Sequence, residues 1–185
     1  MNHRLGFWLL LWPLASAADD ELARIMRALA TVPAVEATFQ EEKTLAMLTT
    51  PLVTTGALYY RAPDFLRKQT LQPHAEVYEA DGHWLTIETA EAGRRQFDLN
   101  GYPQLRPLVE AIRATQAGDQ ATLERYYQLE LQGTSAAWSL RLTPKAADAR
   151  RYIAAIVLSG QSERIVRMET REVDGDRSVM TITPR

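Results

Sequence analysis

The stretch LVTTGALYYRAPDFLRKQTL, residues 52–71, decides the fold. Leu52 to Arg61 is dense in β-branched and aromatic residues, and Phe65 to Leu71 resumes that composition, so both read as strands. Between them Ala62-Pro63-Asp64 makes a turn, because proline is tolerated where a chain reverses but donates nothing to a ladder. Strands joined so briefly must run antiparallel, since a parallel neighbour needs a crossover of a dozen or more residues.

The same grammar extends in both directions. Upstream, Val35, Ala37 and Phe39 alternate with Glu36, Thr38 and Gln40, as in a half-buried strand. Downstream, His74 to Ala80 and His83 to Glu88 are joined by Asp81-Gly82, a strong hairpin signal, and Arg94 to Leu99 follows as another strand. Asn100-Gly101-Tyr102-Pro103 interrupts the pattern. Leu105, Leu108, Val109 and Ile112 then take helical spacing up to Gly118, and Asp119 caps a short helix through Tyr126. Strand patterns return at Tyr127–Gln132, Ala137–Thr143, Ile153–Leu158, Arg164–Val173 and Arg177–Thr183, the last two joined by a turn at Val173-Asp174-Gly175-Asp176. Near the start, Asp19-Asp20-Glu21 opens a helix whose apolar face is Leu22, Ile25, Met26 and Leu29, stopped by Thr31-Val32-Pro33.

These elements predict an α+β fold. Ten or eleven strands form one strongly curved antiparallel sheet, an open half-barrel, with helices as a lid over its concave apolar face. A closed barrel is the competing architecture.

Residues 1–17 carry the parts of a secretory signal: Arg4 at a short positive end, an uncharged run from Leu5 to Leu14, and Ala15-Ser16-Ala17 for the peptidase. The uncharged stretch ends at Asp19, short of the ~20 residues a membrane span needs. Cleavage after Ala17 or Ala18 leaves residues 18–185 as a single domain with a net charge of about −3. Without a block of lysine or arginine, that balance argues against nucleic acid as a partner. The chain has no cysteine, hence no disulfide, thiolate metal site or lipidated N-terminal cysteine. A freely diffusing periplasmic protein, expected to be a monomer, is the reading.

Chemistry-bearing motifs are few. His74, Asp81 and His83 lack a third ligand at a recognisable spacing and read as polar residues on the outside of a hairpin. Asp174-Gly175-Asp176 resembles the start of a calcium loop, but no acidic residue follows at the required distance, so it reads as a turn. The phosphate-binding glycine loops and the nucleophile elbow are missing, and Glu41-Glu42 and Glu88/Glu91 do not suggest an acid–base pair. The chain is not read as an enzyme, and it calls for no metal or cofactor. The aromatic and basic residues in the strands (Tyr59-Tyr60-Arg61, Phe65-Leu66-Arg67-Lys68, Trp84-Leu85, Trp138) are either plain core packing or, with the leucine-rich insertion, the lining of a cavity for an apolar ligand.

Four motifs in series resemble the LolA-like family of periplasmic lipoprotein and lipid carriers. They are Ala37-Thr38-Phe39-Gln40 after the leading helix, Gly56-Ala57-Leu58-Tyr59-Tyr60-Arg61-Ala62-Pro63-Asp64-Phe65-Leu66-Arg67, Ala80-Asp81-Gly82-His83-Trp84-Leu85, and Trp138-Ser139-Leu140-Arg141-Leu142-Thr143-Pro144-Lys145. The resemblance implies a soluble carrier that shields the acyl chains of a lipoprotein or other lipid on the way to the outer membrane. Its implied partners are those acyl chains, an inner-membrane donor complex and an outer-membrane acceptor. A lipid or lipoprotein sensor of the same fold is the alternative, with an enzyme acting on lipid-linked precursors further behind.

Candidate lipid-binding residues are Phe39, Leu58, Tyr59, Arg61, Phe65, Leu66, Trp84 and Trp138 on the sheet, and Leu105, Leu108, Val109 and Ile112 on the lid, with Leu22 and Ile25 beside them. Which alternate strand residues face inward stays open. In the family's lipoprotein carriers an arginine directly precedes the turn proline and holds the empty lid closed. Here Ala62 occupies that position and the arginine is Arg61. A one-residue shift reverses the face of a strand side chain, so either the turn is bulged and Arg61 still reaches inward, or the lid is held differently.

Overall fold

A computed structural model describes residues 15–102 and 105–185, so residues 1–14 of the expected signal segment lie outside the described residues. Helix α1 (Ala15–Ala30) leads into β1 (Ala34–Thr44), β2 (Leu52–Arg61), β3 (Phe65–Gln72), β4 (Glu76–Asp81), β5 (Trp84–Thr89) and β6 (Gly93–Asp98). Helices α2 (Arg106–Gln116) and α3 (Gln120–Tyr126) interrupt the strands, which resume as β7 (Tyr127–Thr134), β8 (Ala137–Pro144), β9 (Ile153–Gln161), β10 (Arg164–Glu172) and β11 (Arg177–Pro184). A single 3₁₀ turn, Ala149–Arg151, precedes β9.

All eleven strands form one sheet in the order β6-β5-β4-β3-β2-β1-β11-β10-β9-β8-β7. Each is antiparallel to its neighbours, and the chain's two halves meet where β1 pairs with β11 (Phe39 opposite Ile182). Strands β6 and β7 are free edges, so the sheet is an open, curved half-barrel and the closed-barrel alternative is excluded. The turn at residues 62–64 joins β2 to β3 with Arg61 opposite Phe65, and the turn at Gly82 joins β4 to β5.

Period-two alternation assigns the inner face. Ala37, Leu58 and Lys68 form one row across β1–β3, and Met180, Met168, Leu158 and Leu140 form another across β11–β8. The apolar seam of α1 (Leu22, Ile25, Met26, Leu29) packs with Leu140, Leu142, Ile156 and Leu158 into the principal core. Burying a side chain of this size is worth about 1.5–3 kcal/mol, so α1 seals that half of the sheet. A second cluster of Ala80, Leu85 and Leu99 takes Leu105 and Val109 from the start of α2.

Gly118 closes α2 with φ +67°, and a Cβ there would lie 2.1 Å from the Met26 carbonyl and 2.8 Å from the Ala30 side chain. Glycine is therefore what lets α2 turn back directly against α1. Asp119 caps α3, its carboxylate accepting from the Thr122 amide.

Candidate functional site

Between the two cores the inner face is not filled. A cavity of about 310 Å³ lies over β1–β3 and β9–β11 and beneath α2, lined by Leu58, Leu66, Ile112, Met168, Met180 and Ile182 among others. It sits at the small end of the range for ligand sites, about 300–1,000 Å³. Lys68 enters the lining from the middle of β3.

That lysine is held from β1. Its Nζ donates to Glu41 Oε2 at 2.5 Å and lies 5.0 Å from the Phe39 ring centroid. Glu41 also accepts from the Ser178 hydroxyl of β11. Burial pushes the Glu41 carboxyl up, but the Lys68 ammonium and the Ser178 hydroxyl outweigh it and hold the group below its ordinary range.

Helix α2 is fastened over the sheet by a buried arginine. Arg113 Nη1 donates to the carbonyls of Asp64 (3.2 Å) and Gly82 (2.6 Å), which belong to the β2–β3 and β4–β5 turns. Its Nε and Nη2 bond both oxygens of Glu110, one turn earlier on the same helix. The guanidinium fork thus ties two sheet turns to the lid with bonds that are charge-assisted. The Tyr127 hydroxyl donates to the Pro107 carbonyl at 2.7 Å and fixes the start of α2; burial, with Glu110 nearby, pushes this phenol up.

Of the residues singled out from sequence, the structure brings Leu58, Tyr59, Leu66 and Ile112 to the cavity. Phe39 is buried on the inner face against Gly56 and beneath Lys68. Leu105 and Val109 are spent on the second core. Leu108 does not face the cavity: α2 is rotated to bury Glu110, Arg113 and Ala114, which leaves Leu108 at 38% exposure. Trp84 also falls away from it, because its neighbour Leu85 takes the inner face and Trp84 points outward beside His83. Trp138 belongs to the principal core, its indole filling the space a side chain would need at Gly160 and donating to the Ser162 carbonyl at 3.0 Å.

Arg61 and Phe65 pair with each other, the guanidinium 4.8 Å above the ring and Arg61 exposed. No register shift separates Tyr59 from Arg61, so the turn is not bulged and Arg61 stays outside. Sequence reasoning missed Arg113 because it sits within a helix whose leucines drew attention. It missed Glu41 although the period set by Val35, Ala37 and Phe39 runs straight on to it.

Among the described residues one group of carboxylates converges, Glu172, Asp174 and Asp176 in the β10–β11 turn. Asp174 accepts from the Asp176 amide and Asp176 from the Ala46 amide, so both shape loops.

The sequence matches the family model described as outer membrane lipoprotein carrier protein LolA-like over residues 14–183. The chain belongs to this LolA-like family. No curated protein matches it. Among solved structures this LolA-like chain is similar to a LolA superfamily protein from Nitrosomonas europaea at 10% identity, covering 90% of this chain and 91% of that one, with a TM-score of 0.48. It is similar to MucB in the MucA/MucB complex of Pseudomonas aeruginosa at 17% identity and a TM-score of 0.48, covering 90% of this chain but 56% of that one. The lipoprotein LppX of Mycobacterium tuberculosis matches at 11% identity and a TM-score of 0.43, covering 89% and 94%.

Proposed function

We propose that this protein is a periplasmic carrier that shelters an acyl chain of a lipoprotein or other lipid between its sheet and α2, for transfer toward the outer membrane. One observation carries the reading: a cavity lined by Leu58, Leu66, Met168, Met180 and Ile182 is left open beside a solidly packed core on the same sheet face. A bound sixteen-carbon chain gains roughly 12 kcal/mol gross from leaving water. Release therefore needs an opposing cost, which closure of α2 supplies through the bonds Arg113 makes to the β2–β3 and β4–β5 turns. Binding and release, rather than catalysis, is the role in this reading, with donor and acceptor membranes as its two ends.

The test is lipid extraction and mass spectrometry of the protein isolated from the periplasm of its native host. Recovery of a near-stoichiometric acyl lipid or lipoprotein is expected, and protein that emerges lipid-free and binds no fatty-acid probe ends the carrier reading. N-terminal sequencing of the same material should begin at Ala18 or Asp19.

A further inference from the structure

The cavity lining is mostly apolar. Its charged members are two solvent-exposed ion pairs, Glu36–Arg185 and Glu163–Arg164, and Lys68, with the buried amide of Gln116 on α2, and of these Lys68, entering from mid-strand, points to a headgroup. Along β1–β3 the inner face runs from Val35, Tyr60 and Leu66, through the row of Ala37, Leu58 and Lys68, to Glu41, Thr54 and Thr70. It is greasy at one end and hydrogen-bonding at the other, with Lys68 at the change. An ammonium has three N–H donors, and Glu41 takes one. A purely apolar wall does not require such a pair, since hydrocarbon of similar volume often serves a fold as well or better, so its place here points to a ligand that uses it.

Resting on the carrier reading, we propose that Lys68 is the headgroup contact of the cavity: a free N–H of its ammonium donates to the ester or amide carbonyl of a single acyl chain, with the hydrocarbon lying toward Leu58, Leu66 and Ile182. Charge decides between a neutral carbonyl and a free carboxylate. Glu41 remains ionised beside Lys68, so the pair is neutral and a second carboxylate would sit against the first. A neutral acceptor meets the donor without that repulsion. The cavity volume of about 310 Å³ favours one chain over several.

Equilibrium dialysis with 1-monomyristoylglycerol and with myristate separates the possibilities. The wild-type protein should bind the monoglyceride more tightly than myristate. Lys68→Met should weaken monoglyceride binding about tenfold, the worth of one hydrogen bond from a charged donor. Glu41→Gln, which leaves the lysine charge uncompensated, should shift the preference toward myristate about tenfold, an effect that loss of packing would not produce. The double variant Glu41→Gln/Lys68→Met removes both charges together and guards against misfolding of a single variant; it should match Lys68→Met. Tighter myristate binding by wild type, or a Lys68→Met protein that binds the monoglyceride unchanged, overturns the headgroup assignment while leaving the carrier reading intact. Failure of wild type to bind either lipid overturns both.

Discussion

One sheet face meets its two helices in opposite ways. Over β7–β9, α1 contributes Leu22, Ile25, Met26 and Leu29, a continuous apolar seam with no exposed member, and the interior closes. Over β1–β3 the covering helix α2, whose Ala111 and Ala114 join the principal core, presents Ile112 and Gln116 and is tied down by the Glu110–Arg113 pair, and the interior stays hollow. The apolar contact is non-directional and adds area by area. The polar one is a small set of aligned bonds to two turns, which fails as a unit when the fork leaves its carbonyls. The two covering helices thus differ less in position than in the chemistry of their attachment.

The filled half should be the costlier to damage. Leu140 is fully buried beneath α1, so Leu140→Ala should lower the unfolding free energy by about 3 kcal/mol, within the span for core truncations. Urea denaturation measures it. Lipid affinity of the protein that remains folded should be unchanged, and a large loss of affinity would mean that the two halves are not separable.

The cover is tested by Arg113→Lys. A lysine keeps the charge but cannot span Glu110, Asp64 and Gly82 at once, and a stability loss of about 2 kcal/mol is expected. Hydrogen exchange should quicken in α2 and leave α1 protected. Equal acceleration in both helices would show that α2 is no separate lid.

Two residues on the same helix then locate the hollow. Ile112 lines the cavity and Leu108 is exposed, so Ile112→Asp should weaken binding of a fluorescent fatty acid about tenfold or more while Leu108→Asp leaves it within twofold. The helical spacing alone gives both residues the same standing.

That failure shows what sequence could and could not reveal. The strands were legible because alternation at Val35–Phe39 and the turns at Pro63 and Gly82 are local. The leading helix was legible because its apolar seam is uninterrupted, and its burial follows the pattern closely. The rotation of α2 was not, because a buried arginine that satisfies carbonyls of residues 49 and 31 positions away leaves no periodic trace. Lys68 stood in the sequence as one more basic residue beside aromatics, and its role depends on Glu41 reaching it across two strand pairings. Trp84 and Trp138 illustrate the other limit: both are tryptophans on strands, and only register sends one outward and sets the other opposite Gly160.

The smallest effect lies on the seam between the filled and hollow halves. On the outer face, Glu169 of β10 bonds Arg177 of β11 along with Arg171 and Arg167, and these bonds, Arg177 foremost, hold its carboxyl down to about 2 against the opposing effect of burial. A carboxyl whose folded value is depressed stabilises fully above its unfolded value, about 4.3, and loses that contribution as pH falls toward 2. The three arginines are each about half exposed, so solvent screening keeps the contribution modest. Glu169→Gln should therefore cost about 1 kcal/mol at pH 7, and the urea midpoints of wild type and variant should converge between pH 4 and pH 2. If the gap persists undiminished at pH 2, the loss comes from packing around the side chain, and the β10–β11 seam is held by its ladder and inner-face methionines rather than by charge.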